Sequence, residues 1–268
     1  MIARATRAII GRELTRMLRQ RGRLLSAMIR PLIWLLVIGG GVGAMLEQHG
    51  SGDYQQFLVP GLLCMVLLFG AMLASLSLVY DKESGVMRML VIAPFSHYWI
   101  ILARTVSAAI AGLVQVLLLL AILAILGYLS LPIQFALLAL GLVLTALLCA
   151  AFGMLIAVFS KSLDNFAVIM NFIIFPVFFL SGALYPLEHL PLWLKSITLI
   201  NPFTYGVDLL KHALISNEAG ALAPEFSIVQ GIFIQIGCII AALFVACLRF
   251  TQAPVMESLA SILSCRRQ

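Results

Sequence analysis

Apolar residues in this chain come in long runs divided by short polar stretches. The pattern has neither the alternation of a half-buried strand nor the mixed face of a soluble helix. A helix needs roughly 20 apolar residues to cross a bilayer core of about 30 Å. Six runs are candidates: Pro31–Leu46 (with a start near Leu24 also allowed), Phe57–Tyr80, Thr105–Leu129, Ile133–Phe159, Phe166–Leu184 and Phe226–Leu248. The pattern therefore predicts an all-α integral membrane protein with six transmembrane helices. It reads as one domain over 1–268: an interfacial helix over 1–30, a six-span bundle over 31–248 and a tail over 249–268.

Between the fifth and sixth runs the chain stays apolar but is broken by Gly182, Pro186, Pro191 and Pro202. Leu192–Ile200 is too short to cross. Asn201-Pro202 reads as an N-cap followed by proline at the first helical position, opening a helix to about Ile215. These pieces are expected to be short re-entrant or extracytoplasmic helices. Backbone at membrane depth is tolerated only when buried in protein or lining a cavity, which fits a lid over a pathway. Two helices lying on the membrane surface fit equally. Trp193 and Tyr205 suit an interface on either view.

Charge sets the orientation. Hydrophobic residues make up 63% of the 268 and charged residues only 10%, where a soluble domain carries about 25% charged. That composition excludes a disordered chain and a nucleic-acid binder with a solvated basic face. The net charge of +6 is local: 8 of the 17 Lys and Arg fall in the first 30 residues. Counted by loop, 15 of the 17 lie on one predicted side. The positive-inside rule makes that side cytoplasmic, with both termini inside, as six spans require. A cleaved signal peptide is disfavoured, because the basic region is too long and no small-x-small site precedes Glu47.

Arg12, Arg16, Arg19 and Arg23 recur at helical steps and fall in a stripe about 60° wide. Ile10, Leu14, Met17 and Leu18 lie opposite. A basic amphipathic helix at the cytoplasmic membrane surface follows. It serves as a topology anchor drawn to anionic lipid, as a contact for a cytoplasmic partner, or as both. In the loop after the second run, Gly85 and Pro94 bracket a short helix, about Val86–Ile92, with Met87, Leu90 and Val91 on one face. Docking into a partner's groove and packing on the protein's own bundle both account for it.

No enzyme chemistry stands out. GxxxxGK[ST], GxSxG and HExxH are absent, and none of the four lysines follows a glycine. The five cysteines show no metal spacing, and Glu188-His189 is better read as a pair of polar residues facing water than as a metal site. Ionisable groups are scarce within the runs, which disfavours an ion-coupled pump. Arg30 and Arg104 read as residues at cytoplasmic ends, free to snorkel. Gln115, Asn171, Gln230 and Gln235, with Ser75, Ser77 and Thr145, form the polar inventory expected inside the bundle.

The segment Phe175-Pro176-Val177-Phe178-Phe179-Leu180-Ser181-Gly182-Ala183-Leu184-Tyr185-Pro186, with Pro191 and then Asn201-Pro202-Phe203-Thr204-Tyr205-Gly206, resembles the signature of ABC-2 type transporter permeases. Glu83-Ser84-Gly85, with Arg88, Leu90 and Pro94, is a second match. The resemblance implies a permease subunit of an ATP-driven exporter in the bacterial inner membrane. It implies a homodimer bound to two copies of a separate cytoplasmic ATPase, with no nucleic acid involved. ATP and Mg would sit on the partner, leaving this chain with no cofactor, no metal and no catalytic residue. Glu83, Gly85, Arg88, Leu90 and Pro94 would belong to the coupling region, with the N-terminal helix as a second contact. Gly182, Tyr185, Pro186, Pro191, Asn201, Pro202 and Tyr205 would belong to the extracytoplasmic gate. The cargo would be lipid-linked, a polysaccharide or a drug-like amphiphile. A membrane-embedded lipid-modifying enzyme and a non-transporting assembly subunit are the competing functions.

Overall fold

The structure is a computed structural model. It describes residues 10–12, 15, 19, 21–41, 43, 54–86, 97–129, 133–187, 190–215 and 224–265, and only the backbone of 21, 23–28, 97 and 252–265. Arg16, Arg88, Leu90, Pro94, Glu188 and His189, the side chain of Arg23 and the loop helix beyond Val86 lie outside the described residues.

Among the described residues the regular structure is entirely helical. The elements are α1 (Arg21–Trp34, running on as a π-helical turn over Leu35–Gly39), α2 (Tyr54–Glu83), α3 (His97–Ile125) and α4 (Phe135–Phe159). They continue with α5 (Leu163–Phe179, π-helical over Met170–Ile174), α6 (Leu192–Ile200), α7 (Pro202–Leu214) and α8 (Ile228–Cys265). Four stretches are long and apolar enough to cross a bilayer: Tyr54–Glu83, Tyr98–Ile125, Phe135–Phe159 and Ile228–Thr251. The first and fifth expected spans appear as shorter apolar helices, Ile29–Gly39 and Leu163–Phe179. Glycines cluster beyond Ile38, and Leu180–Gly182 turn the chain after α5.

α2 stands at the centre. Of its apolar window 83% is buried, against 28% for α8 at the periphery. Side chains of α2, α3, α4 and α7 form the main core around Leu63, Leu67, Cys149 and Leu210. α8 turns one narrow seam inward, with Gly231, Gln235, Ala242, Ala246 and Phe250 buried at near-helical spacing. Phe233, Ile240 and Phe244 remain outward. That division suits a helix with protein on one side and hydrocarbon on the other.

α2 meets the chain after α5 at very short range. A Cβ added at Gly61 would lie 2.3 Å from the Ala183 carbonyl oxygen, so no larger residue fits there without displacing backbone. The Tyr54 hydroxyl donates to the Leu184 carbonyl at 2.7 Å, closing the same contact about two turns away. Gly182 turns with φ +71°, the left-handed region that glycine enters without steric cost.

Candidate functional site

Two constellations of polar residues stand at opposite ends of this bundle. At one end, three consecutive residues at the close of α2 each hold a different element. Asp81 is buried and pairs with the buried Arg104 of α3, and it also receives Arg12 Nη2 at 3.2 Å. Arg104 donates to Ser77 Oγ at 3.3 Å. Lys82 Nζ donates to the carbonyls of Ala157 (2.8 Å), Val158 (2.7 Å) and Ser160 (3.3 Å) at the end of α4. A cation there satisfies carbonyls that have no partner inside the helix and meets the negative end of its dipole. Glu83 Oε1 accepts from the Leu163 backbone N–H at 3.0 Å, at the start of α5. Ser162 caps the same helix, its Oγ accepting from the Asn165 N–H at 3.2 Å. Gly85 then leaves α2 with φ +74°.

This corrects the reading of Arg104 as a snorkelling residue. It is 2% exposed, because a carboxylate one helix away neutralises it inside the protein. Glu83 closes α2, and Gly85 follows it at the head of the loop. Of the arginine stripe, Arg12 is exposed and reaches Asp81, and Arg19 is exposed.

At the other end, α6, α7 and the entry to α8 form a capped, interlocked unit. Asn201 caps α7 as its sequence predicts: Oδ1 accepts from the Phe203 N–H at 3.1 Å, and Pro202 follows. Its amide does a second job that the sequence does not announce, donating to the Val177 carbonyl of α5 at 2.7 Å. α7 is buried along nearly its whole length against α4, α8 and α2. Leu192, Trp193 and Ile200 of α6 are exposed. Tyr205 is buried at 5% rather than facing an interface, its hydroxyl donating to the Leu199 carbonyl at 2.9 Å. Pro191 is exposed at the start of α6, and Tyr185 and Pro186 are half-buried.

The charges of this outer unit went unrecognised in the sequence. Asp208 accepts from the backbone N–H of Glu225 (2.8 Å) and of Phe226 (3.2 Å), tying α7 to the chain that enters α8. Glu225 Oε1 accepts from the Leu187 N–H at 2.6 Å, reaching the segment after α5. His212 Nε2 stands 2.8 Å from the Phe226 carbonyl and 3.7 Å from Asp208 Oδ2. The Lys211 ammonium lies 4.5 Å over the Phe57 ring. Burial pushes the Asp208 and Glu225 carboxyls up and the Lys211 amine down, because desolvation disfavours each charged form. The signal was available in the i, i+3, i+4 spacing of Asp208, Lys211 and His212 on an otherwise apolar helix.

Of the polar inventory, Gln235 joins three elements as expected. Its Oε1 accepts from Thr145 Oγ1 at 3.4 Å, and its Nε2 donates to the Tyr205 carbonyl at 3.3 Å. Asn171 and Gln230 are exposed instead.

Comparison with known proteins agrees with this architecture. Residues 4–215 match the family profile described as ABC-2 type transporter. The chain is 29% identical over 172 residues to a protein named "Probable multidrug ABC transporter permease YbhR" of Escherichia coli (strain K12), covering 62% of this chain and 46% of that relative. It thus spans about half the length of that protein. It is 26% identical over 209 residues to "Inner membrane transport permease YadH" of the same strain, covering 76% of this chain and 80% of the relative. It is 25% identical over 205 residues to "Nodulation protein J" of Rhizobium leguminosarum bv. trifolii, covering 72% and 74%. With the profile matched over most of its length, the chain belongs to the ABC-2 type transporter family.

Proposed function

We propose that this chain is the membrane permease subunit of an ABC transporter, driven by a separate ATPase bound on the cytoplasmic side. Two copies pair, each with one ATPase, in the bacterial inner membrane, with six crossings per copy and both termini inside. The cargo moves outward, from the cytoplasm or inner leaflet, and is an amphiphile or lipid-linked molecule. The observation that carries this reading is the Asp81-Lys82-Glu83 hub. A force applied to the loop after Glu83 meets α3 through Arg104, α4 through Lys82 and α5 through Glu83. The N-terminal helix reaches the same hub through Arg12. A cytoplasmic partner pressing there has a direct connection to three helices. The family membership and the permease names of two relatives support the same reading.

In this account the outer unit of α6 and α7 is the extracytoplasmic gate. Coupling belongs to Glu83, Gly85, Arg88, Leu90 and Pro94, and to the basic stripe of the N-terminal helix. The test is affinity purification of the tagged chain from its native membranes in mild detergent, followed by ATP hydrolysis assays in nanodiscs. A P-loop ATPase in equal amount, with hydrolysis that needs both chains, is expected. A chain that purifies without such a partner would overturn the proposal.

A further inference from the structure

Arg30 stands where an arginine has no ordinary reason to be. Its guanidinium carbon lies 5.5 Å over the Phe69 ring, and Phe69 sits in the middle of α2. The α2 residues from Phe57 to Val79 carry no charge. At 1.5 Å per residue, Phe69 is therefore about 15 Å or more from either end of that apolar stretch. The side chain is exposed, so the charge sits at mid-depth on the outer face of the described bundle. Among the described residues the ion pairs fall on Asp81 and Asp208, and none on Arg30.

A lone guanidinium in hydrocarbon is costly and calls for a polar or anionic counterpart. The apolar runs of a second copy offer no acidic one. Asp81, Glu83 and Asp164 lie at helix ends, and the apolar runs hold no acid at this depth. A ligand is then the natural source of a counter-charge at this depth. The surroundings fit an amphiphile. Ile33 and Val37 continue the same face of α1, 52% and 66% exposed. Phe175 of α5 packs on Phe69 at 5.3 Å, and exposed Asn171 lies about one turn before it. Both flanking helices carry π-helical turns, a local irregularity frequent at functional sites.

We propose that Arg30 is the anion-recognising residue of a binding site for an anionic amphiphile, a phosphate- or carboxylate-bearing lipid-like molecule whose hydrocarbon lies along Ile33 and Val37. Calling this ligand the cargo rests on the permease assignment, but the binding itself does not.

Trp34, one turn after Arg30, reports on the site. The chain alone, with Trp99→Phe and Trp193→Phe, is placed in nanodiscs of zwitterionic lipid, and Trp34 fluorescence is followed against 11-bromoundecyl phosphate. Saturable quenching is expected for the native residue. Arg30→Lys should retain it with weaker affinity, and Arg30→Gln should weaken it about tenfold or more, as for a lost charge-assisted hydrogen bond. The uncharged 11-bromoundecanol should quench weakly and equally in all three. Inorganic phosphate at the same concentration should fail to displace the amphiphile. Equal quenching in Arg30→Gln, equal quenching by the alcohol, or full displacement by inorganic phosphate would overturn the site. Because no ATPase is present, such a result rejects the anion site, whereas a missing ATPase partner rejects the permease assignment.

Discussion

The Lys82 ammonium lies 2.7 Å from the Val158 carbonyl, so the end of one long helix caps the end of another. With Ala157 and Ser160 sharing the same ammonium, the cap takes up the carbonyls of α4 that would otherwise face a partly apolar surround. Lys82→Met should lower stability by about 1–2 kcal/mol, and Lys82→Arg by less. Thermal unfolding in detergent, monitored by circular dichroism, measures this. A Met variant as stable as the native chain would show that water caps α4 equally well.

Glu83 offers a sharper contrast. Its carboxylate accepts from the Leu163 N–H, a bond that an amide oxygen can also accept. Glu83→Gln should therefore keep most of the coupling between ATP hydrolysis and transport, and Glu83→Ala should lose it. If Glu83 acted by pairing with a basic residue of the ATPase, Gln and Ala would fail alike. The ratio of cargo moved to ATP hydrolysed in proteoliposomes separates the two outcomes.

The outer latch should respond to pH. Asp208 and Glu225 have carboxyls raised by burial, so their contribution to the closed arrangement is present below the ordinary carboxylate pKa and lost as pH rises through the raised values. Lys211 is lowered by burial, so its contribution is present above the ordinary lysine pKa and lost as pH falls through the lowered value. The latch is loosest between those limits, where all three are charged. Hydrogen-exchange protection of the Phe226 amide, corrected for intrinsic exchange, should rise as pH falls from neutral into the carboxylate range. Flat protection across that range would contradict the assignment.

Gly61→Ala should cost about 2–3 kcal/mol or more, since its methyl would meet the Ala183 carbonyl oxygen at 2.3 Å. A control at Gly237, where a Cβ meets nothing within 4 Å, should be near neutral. Comparable melting temperatures for the two would show that the contact yields easily.

Local signals in the sequence proved the most legible. Asn201-Pro202 announced the start of α7, and Leu192–Ile200 emerged with its predicted limits, because capping and proline act within a few residues. The four long spans followed from apolar length. What escaped depended on partners distant in the chain. Arg104 looks like an interfacial residue until Asp81, 23 positions earlier, is found against it. Gln230 and Gln235 are equivalent in sequence, yet only the face that meets Tyr205 and Thr145 buries one of them. Arg30 follows a basic segment and opens an apolar run, so only its position over Phe69 reveals its depth.

The central claim is that ATP-driven work at the inner hub reaches the outer helices of a paired permease. A single nitroxide label at Ser196, an exposed residue of α6, tests this most directly in the complex with the copurifying ATPase. The label is placed in a cysteine-free background, and double electron–electron resonance reads the distance between the two copies with and without ATP plus vanadate. The account predicts a defined distance that shifts on trapping, a shift abolished by Lys82→Met combined with Glu83→Ala. An absent inter-copy distance, or one unchanged by nucleotide, would contradict it.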